Sequence, residues 1–510
     1  MLNRRHFIAG AVASTVAFAG AARAEDLCAK PAKWDESFDV VVIGAGGAGL
    51  SAAIVARGAG AKTLLLEKMA FAGGNTLIAG GGMNAAVKAD YEKAGIKDSP
   101  ELHAEQTLAA GDYRADPALV EVLTKGAPES VAWLKKLGVN FRDHIYQIYG
   151  GLYPRCRNPI EPKGEGYVKA LAEEAKRVGV DLRTGAKVTR FFRESPLEGR
   201  LTGVEVELKG KKLAIEAKSG VVSAAGGFSA NASMCGLHDP RLEKLGTTNQ
   251  PGATGEVLVA MVDIGADTTG LDYIQCIPGM PKDVKSQPSL ISHVDRFLFI
   301  NHEGKRFVAE DSRRDILRDA VLAQTKMEAF TLVDRAGFAM DKNSTEAQHE
   351  AARKAGALYV GNTVEEIARA MGVPADALQA TLDDYNKAVE TKKDPFGRHE
   401  DMLVHTVAEP PFYAVRIVMA RHHTMGGVRI DTKARVVDRR GNVIPGLYAA
   451  GEVTGGIHGT NRVGGNAFAD VFTFGRIAGE SAAKTGFGSC SASPSPPKPL
   501  RYTPRPSNAK

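Results

Sequence analysis

Four consecutive apolar residues, Val40 to Ile43, predict a strand buried on both faces, and the alanine-rich stretch from Ala48 to Arg57 predicts a helix packed close against it. Thr63 to Leu66 then reads as the next parallel strand, so a βαβ unit closes within about 30 residues. Helical periodicity dominates from Pro100 to Gly138. Three alternating stretches follow, "VDLRTGAKVTRFFRE", "LTGVEVELKG" and "KLAIEAKSGVVSAAGGF", the last ending in a buried apolar strand from Gly220 to Ala224. A middle segment runs from about Tyr273 to Arg421. In its "PADALQATLDDYNKAV" the residues Leu378, Leu382, Tyr385 and Val389 keep the spacing of one helix face. "GNVIPGLYAAGEVTGG" predicts a strand leaving a turn, followed by a helix from Ala467 to Ala483. No internal repeat is visible. Strands alternating with helices predict an α/β fold, and 510 residues suffice for two sizeable cores.

The formal charge of +6 is concentrated at the ends, because residues 1–24 carry three arginines and no acid and residues 488–510 carry four basic residues and no acid. About −1 remains for the body, which offers no basic stripe for nucleic acid. "NRRHFIAG" places Arg4 and Arg5 before an uncharged apolar run, and Ala22-Arg23-Ala24 fits a cleavage site. This reads as a twin-arginine signal peptide, residues 1–24, which predicts export in the folded state to the periplasm. The alternative reading is an N-terminal membrane anchor, which the run disfavours by being shorter than a span and richer in alanine than in leucine, and no later segment has transmembrane length. Residues 488–510 hold six prolines and many serines and predict a disordered tail. Cys28, Cys156, Cys235, Cys276 and Cys490 form no C-x-x-C pair, so neither a haem-attachment nor an iron–sulfur pattern is present. Any electrons that the protein handles must therefore come from, or leave to, something outside the chain.

Gly44-x-Gly46-x-x-Gly49 follows the first strand and opens the first helix, the context that makes this pattern specific for a dinucleotide. Gly44 permits the tight turn, Gly46 lets backbone approach a pyrophosphate, and Gly49 lets helix and strand pack closely. The phosphate would rest on the helix N-terminus, and Glu67 would accept from a ribose hydroxyl.

"KMAFAGGNTLIAGGGMNAA" after Glu67 and "GLYAAGEVTGGIHGTNRVGGNAFADVFTFGRIAGE" near the end resemble the flavoprotein subunits of the fumarate reductase and succinate dehydrogenase family, most of all the soluble periplasmic fumarate reductases and urocanate-reducing enzymes. The resemblance covers roughly residues 38–486. It implies FAD rather than NAD, in a glutathione-reductase-type Rossmann-like domain made of residues 38–272 and 420–486. An α+β capping domain, residues 273–419, would be inserted between them. FAD contacts are implied for Gly44, Gly46, Gly47, Gly49, Glu67, Lys68, Gly73, Gly74, Asn75 and Thr76. Further contacts are implied for Gly81 and Gly82 near the isoalloxazine, and for Ala225, Gly226, His423, Glu452, Asn466 and Ala467. Family members with covalent flavin carry a histidine in the stretch that reads "GGNTLIAGGG" here, so non-covalent FAD is implied.

"NHEGKRFVAEDSRRDILRDAVLAQ" resembles the segment with the family's catalytic arginine, which falls on Arg314. Its implied role is to protonate the carbon alpha to a carboxylate while hydride reaches the beta carbon. Read without the family, Arg314 would form a helix salt bridge with Asp311, Asp315 or Asp319. In "RHHTMGGVRID" the alternation of an extended segment sends His422 and His423 to opposite faces, so one metal between them is disfavoured, and no other ligands cluster nearby. No metal site is expected. The resemblance gives His422 and Arg462 to a substrate carboxylate, which a guanidinium can bond at both oxygens. Two departures stand out. Ile277 in "YIQCIPGM" replaces the histidine that grips a second carboxylate, and in "SLISHV" Leu290 and His293 replace the glutamate and arginine of the proton relay. An apolar residue cannot pair with a charge, so fumarate and succinate are disfavoured, and His293, Asp295 or Arg296 would have to rebuild the proton supply. The expectation is reduction of another α,β-unsaturated carboxylate, with electrons from a separate donor such as a c-type cytochrome. Two alternatives stay open: a dehydrogenase like the ketosteroid dehydrogenases, or a flavin electron-transfer protein without turnover.

Overall fold

The computed structural model describes residues 30–484 except 196, 292, 342 and 343, so the expected leader and tail lie outside the described residues. Strand β1 (Glu36–Ile43), helix α1 (Gly47–Gly58) and strand β2 (Thr63–Glu67) form the predicted βαβ unit. Helices α2 (Gly74–Ile78), α3 (Pro100–Ala110) and α4 (Pro117–Lys136) follow. Ser99 and Asp116 cap α3 and α4 by accepting from backbone N–H groups, and proline occupies the first turn of each. Strands β3 (Asp181–Thr184), β4 (Ala186–Ser195), β5 (Glu198–Leu208) and β6 (Lys211–Ser223) return the chain to β1.

A second sheet is then built from β7 (Ile274–Gly279), β8 (Leu298–Ile300), β9 (Glu328–Val333) and β10 (Phe412–Thr424), with helices α5 (Arg314–Leu322) and α6 (Ala375–Thr391) between them. Its order is β7-β10-β9-β8. Afterwards the chain returns to the first sheet through β11 (Arg435–Val437) and β12 (Val443–Ala449) and ends on α7 (Asn466–Lys484). The first sheet runs β11-β12-β6-β1-β2-β3, with β5 beside β6 and β4 beside β5. Its centre is parallel, β12 and β1 flanking β6 and β2 flanking β1, and Val40, Val41, Val42, Leu64 and Leu65 are fully buried there.

Helix α7 lies on α1 because two glycines face it. A Cβ at Gly475 would stand 2.6 Å from the carbonyl oxygen of Ala48, and one at Gly479 would stand 2.3 Å from that of Ala52. The second sheet has a smaller core of its own, in which Leu378, Leu382, Tyr385 and Val389 of α6 pack as their spacing predicts. The boundary expected at 419/420 falls inside β10, so His422 and His423 sit on the last residues of a strand of the second sheet.

Candidate active site

A cavity opens at the carboxyl ends of β1 and β2. Among its lining residues are Gly44, Gly46, Gly47, Glu67, Lys68, Gly74, Asn75, Thr76, Ala225, Gly226 and Glu452. The glycine loop is shaped by close contact: Gly44 has φ +94°, and a Cβ at Gly49 would stand 1.7 Å from the Gly44 carbonyl oxygen. By contrast a Cβ at Gly46 would have no neighbour nearer than 3.9 Å and one at Gly226 none within 4 Å, so both present bare backbone to the cavity. Glu67 fixes the loop by accepting from the N–H groups of Ala45 and Met69 at 2.8 Å each, and Lys68 donates to Thr254 and Glu256 at 2.7 Å each. A long cleft, a helix N-terminus and glycines without side chains fit a dinucleotide pyrophosphate. Gly49→Val should therefore fold poorly or emerge colourless, which the visible absorbance of the purified protein checks; full flavin content would refute the packing role.

Other expected contacts lie outside that lining. Gly73 donates its N–H to the Ala45 carbonyl, which ties the second glycine stretch to the first loop. Gly81 is packed on the Lys163 carbonyl, and Gly82 lies against Ile148, Cys156 and Tyr146. The Asn466 amide accepts from Asn84, meets His103 Nε2 at 2.8 Å and donates to Thr107, joining α7 to α3, with Ala467 beside it in the first turn. Burial lowers His103 to about 4, so this imidazole is neutral at ordinary pH. Asn249, which carried no sequence signal, receives Asn75 and donates to the His422 carbonyl at 2.6 Å. It links the cavity to the histidine strand.

Two guanidiniums meet beside that strand. Arg314, in the first turn of α5, donates to Gln275 Oε1 at 2.8 Å and to the Tyr149 carbonyl at 2.7 Å. Arg462 donates to the same Gln275 oxygen at 3.0 Å. Arg314 and Arg462 are only 5% and 3% exposed, and among the described residues the Nε of each makes no hydrogen bond and neither forms an ion pair. The helix salt bridge open to Arg314 is therefore absent: Asp315 pairs with Arg313, Asp319 with Arg318 and Arg241, and Asp311 accepts from the His399 N–H. Burial lowers Arg314 to about 10, and burial with the neighbouring Arg314 charge lowers Arg462 to about 9. Such a pair is costly to bury without an anion.

Gln275 was missed by sequence reasoning, although a polar residue inside the apolar stretch "YIQCIP" was its signal. Its amide nitrogen donates to Asn461 Oδ1 and the Arg462 carbonyl, so one side chain fixes both cations. Tyr149 contributes a backbone carbonyl, which no side-chain pattern could reveal; its ring lies 5.2 Å from the Arg314 guanidinium.

The histidines are placed by a bulge. Gln275 pairs with His423 and Cys276 with Arg421, leaving His422 as an extra residue on β10. The ladder register shifts at this point, and both imidazoles feel Arg462 and Arg314. Burial first, then those cations, hold both well below the ordinary histidine range. His422 Nδ1 lies 2.7 Å from Thr248 Oγ1, and His423 Nδ1 lies 3.6 Å from Glu452 Oε2. Glu452 also accepts from the Thr424 N–H at 3.0 Å, and burial raises it to about 7. His293 stands apart, its ring 5.8 Å from that of Tyr146, and Leu290 is buried. Ile277 is half-buried on β7. Among the described residues no group of His, Cys, Asp or Glu is arranged to hold a metal, and no helix is long and apolar enough to cross a membrane.

Comparison with known proteins agrees with this geometry. A family model described as an FAD binding domain matches residues 39–468. The chain is 38% identical over 456 residues to fumarate reductase (cytochrome) of Shewanella frigidimarina, covering 88% of this chain and 77% of that one. It is 33% identical over 499 residues to the acrylate reductase flavoprotein subunit of Shewanella woodyi, covering 94% and 98%. The open conformation of a flavocytochrome c3 fumarate reductase superposes with a TM-score of 0.72 at 34% identity, covering 90% of this chain and 80% of that one.

Proposed function

Because the chain belongs to the FAD binding domain family of fumarate-reductase-like oxidoreductases, we propose that it reduces the carbon–carbon double bond of an α,β-unsaturated carboxylate other than fumarate. The observation that carries this reading is the pair of buried guanidiniums, Arg314 and Arg462, held on one amide oxygen with no carboxylate of their own. An anionic substrate supplies the missing charge. Arg462 and His422 hold its carboxylate, the guanidinium bonding both oxygens. Gly44, Gly46, Asn75 and Gly226 would hold FAD non-covalently along the glycine loop, where it would supply a hydride for the beta carbon. Arg314 holds the proton for the alpha carbon, and its burial weakens its grip on that proton. Gln275 keeps the two cations in register so that one carboxylate and one reacting carbon are presented together.

Ile277 stands where a second carboxylate would need a cation, so the far end of the substrate is uncharged, an alkyl or aryl group. The likeness to an acrylate reductase subunit, named for an unsaturated monocarboxylate, supports the same choice. Residues 273–419 act as a capping domain that closes over the substrate and excludes water. His293, Asp295 or Arg296 resupplies the proton. The chain is exported folded by the twin-arginine route and takes electrons in the periplasm from a separate donor such as a c-type cytochrome.

Anaerobically reduced enzyme mixed with enoates tests this. Acrylate-type or aryl enoates should restore the oxidised flavin absorbance at least ten times faster than fumarate. Exclusive reoxidation by fumarate, or oxidation of saturated acids with no reductase activity, would overturn the assignment.

A further inference from the structure

Behind the arginine pair, four buried titratable groups stand in a row from the cavity wall to α7. Glu452 Oε2 is 3.6 Å from His423 Nδ1, the His423 and His458 rings are 5.6 Å apart at 71°, and His458 Nε2 is 3.1 Å from Asp470 Oδ2. Their side chains are between 3% and 12% exposed. Among the described residues His423 Nε2, His458 Nδ1 and Asp470 Oδ1 make no hydrogen bond, so each imidazole keeps an unused nitrogen and the row keeps capacity for a proton. The charged groups bearing on it are few. Arg462 acts on Glu452, His423 and Asp470, Arg314 and His422 act on His423, and Cys235 faces Glu452. Nothing in the hydride and proton transfers assigned above uses His458 or Asp470.

The row begins at a residue that lines the dinucleotide cavity, where two electrons must arrive in each turnover. Added negative charge in a dry interior is strongly stabilised by a proton taken up nearby. We propose that Glu452, His423, His458 and Asp470 form a proton-holding array that binds one proton from solvent as two electrons are delivered to the bound FAD. Bound FAD would itself take up one further proton with the two electrons, the one that departs with them as hydride, and the array then returns its own proton to solvent. No bond other than N–H or O–H forms or breaks on the array, and the Arg314 proton is counted separately. Glu452, raised to about 7 by burial, holds the proton below that pH already and gains one on reduction above it.

The midpoint potential of the holoenzyme flavin, titrated from pH 6 to pH 9 without substrate, tests this. Each proton accompanying the two electrons contributes about 30 mV per pH unit. Wild type should fall by about 30 mV per pH unit below pH 7 and about 60 above it. Glu452→Gln and Asp470→Asn should each flatten the upper limb toward 30. A single slope of about 30 in wild type, or an unchanged upper limb in both variants, overturns the array. Because the titration contains no enoate, its outcome is independent of the substrate assignment.

Discussion

Arg314→Lys will lower turnover by about 10²- to 10⁴-fold, the range that a positioned general acid contributes, while flavin content stays at the wild-type level. The substitution keeps the charge and removes the fork. Arg314 reaches Gln275 with one nitrogen and the Tyr149 carbonyl with another, and an ammonium concentrates its three donors on one atom at the end of a flexible stem instead of spreading them over a rigid planar fork. Gln275 would then keep only Arg462 as a donor to its oxygen. Arg314 also lies against bare backbone, since a Cβ at Gly150 would stand 2.4 Å from its Nε, so the site is shaped around this side chain. Single-turnover reoxidation of reduced enzyme by the true substrate measures the effect. A rate within about threefold of wild type would remove Arg314 from the chemistry.

Arg462→Met will separate function from stability. Loss of the carboxylate partner should cut kcat/KM by about 30- to 1000-fold, the equivalent of about 2–4 kcal/mol for truncating one half of a buried charge pair. The same change should stabilise the substrate-free protein, because a buried ion bears a desolvation cost of several kcal/mol that no anion offsets here. The sign follows from its titration. Arg462 binds its proton less tightly in the fold than in the unfolded chain, so the charged form costs stability wherever both states are protonated. That cost is full at pH 7 and begins to fade only as pH rises past about 9. Thermal unfolding at pH 7 with and without substrate checks both halves, and a variant that melts below wild type would show that Gln275 alone outweighs the desolvation.

Much of this arrangement was legible in the chain because it depends on local backbone demands. The Gly44, Gly46 and Gly49 spacing, with an apolar strand before it, sets a phosphate-binding turn whatever surrounds it. The face of Leu378, Leu382, Tyr385 and Val389 likewise declares a helix against a core. What escaped depends on contacts between distant residues. The bulge at His422 arises from a register slip against β7, and no property of "RHHT" encodes it. Gln275, Asn249 and the Tyr149 carbonyl matter because of what the fold sets beside them, over separations of 39 to 187 residues. Alternation along a strand is assured only while the ladder stays in register, and the slip beside His422 is set by β7.

The first sheet is discontinuous in sequence: β12 completes it next to β6, and Ala450, Gly451 and Glu452 close one side of the cavity. Helix α7 then clamps α1 through Gly475 and Gly479. A growing chain that has made the glycine loop therefore still lacks a wall and a buttress for the nucleotide until its last described helix exists. The wall of the cavity formed by Ala450, Gly451 and Glu452 and the helix that buttresses α1 thus both come from chain that follows the second sheet.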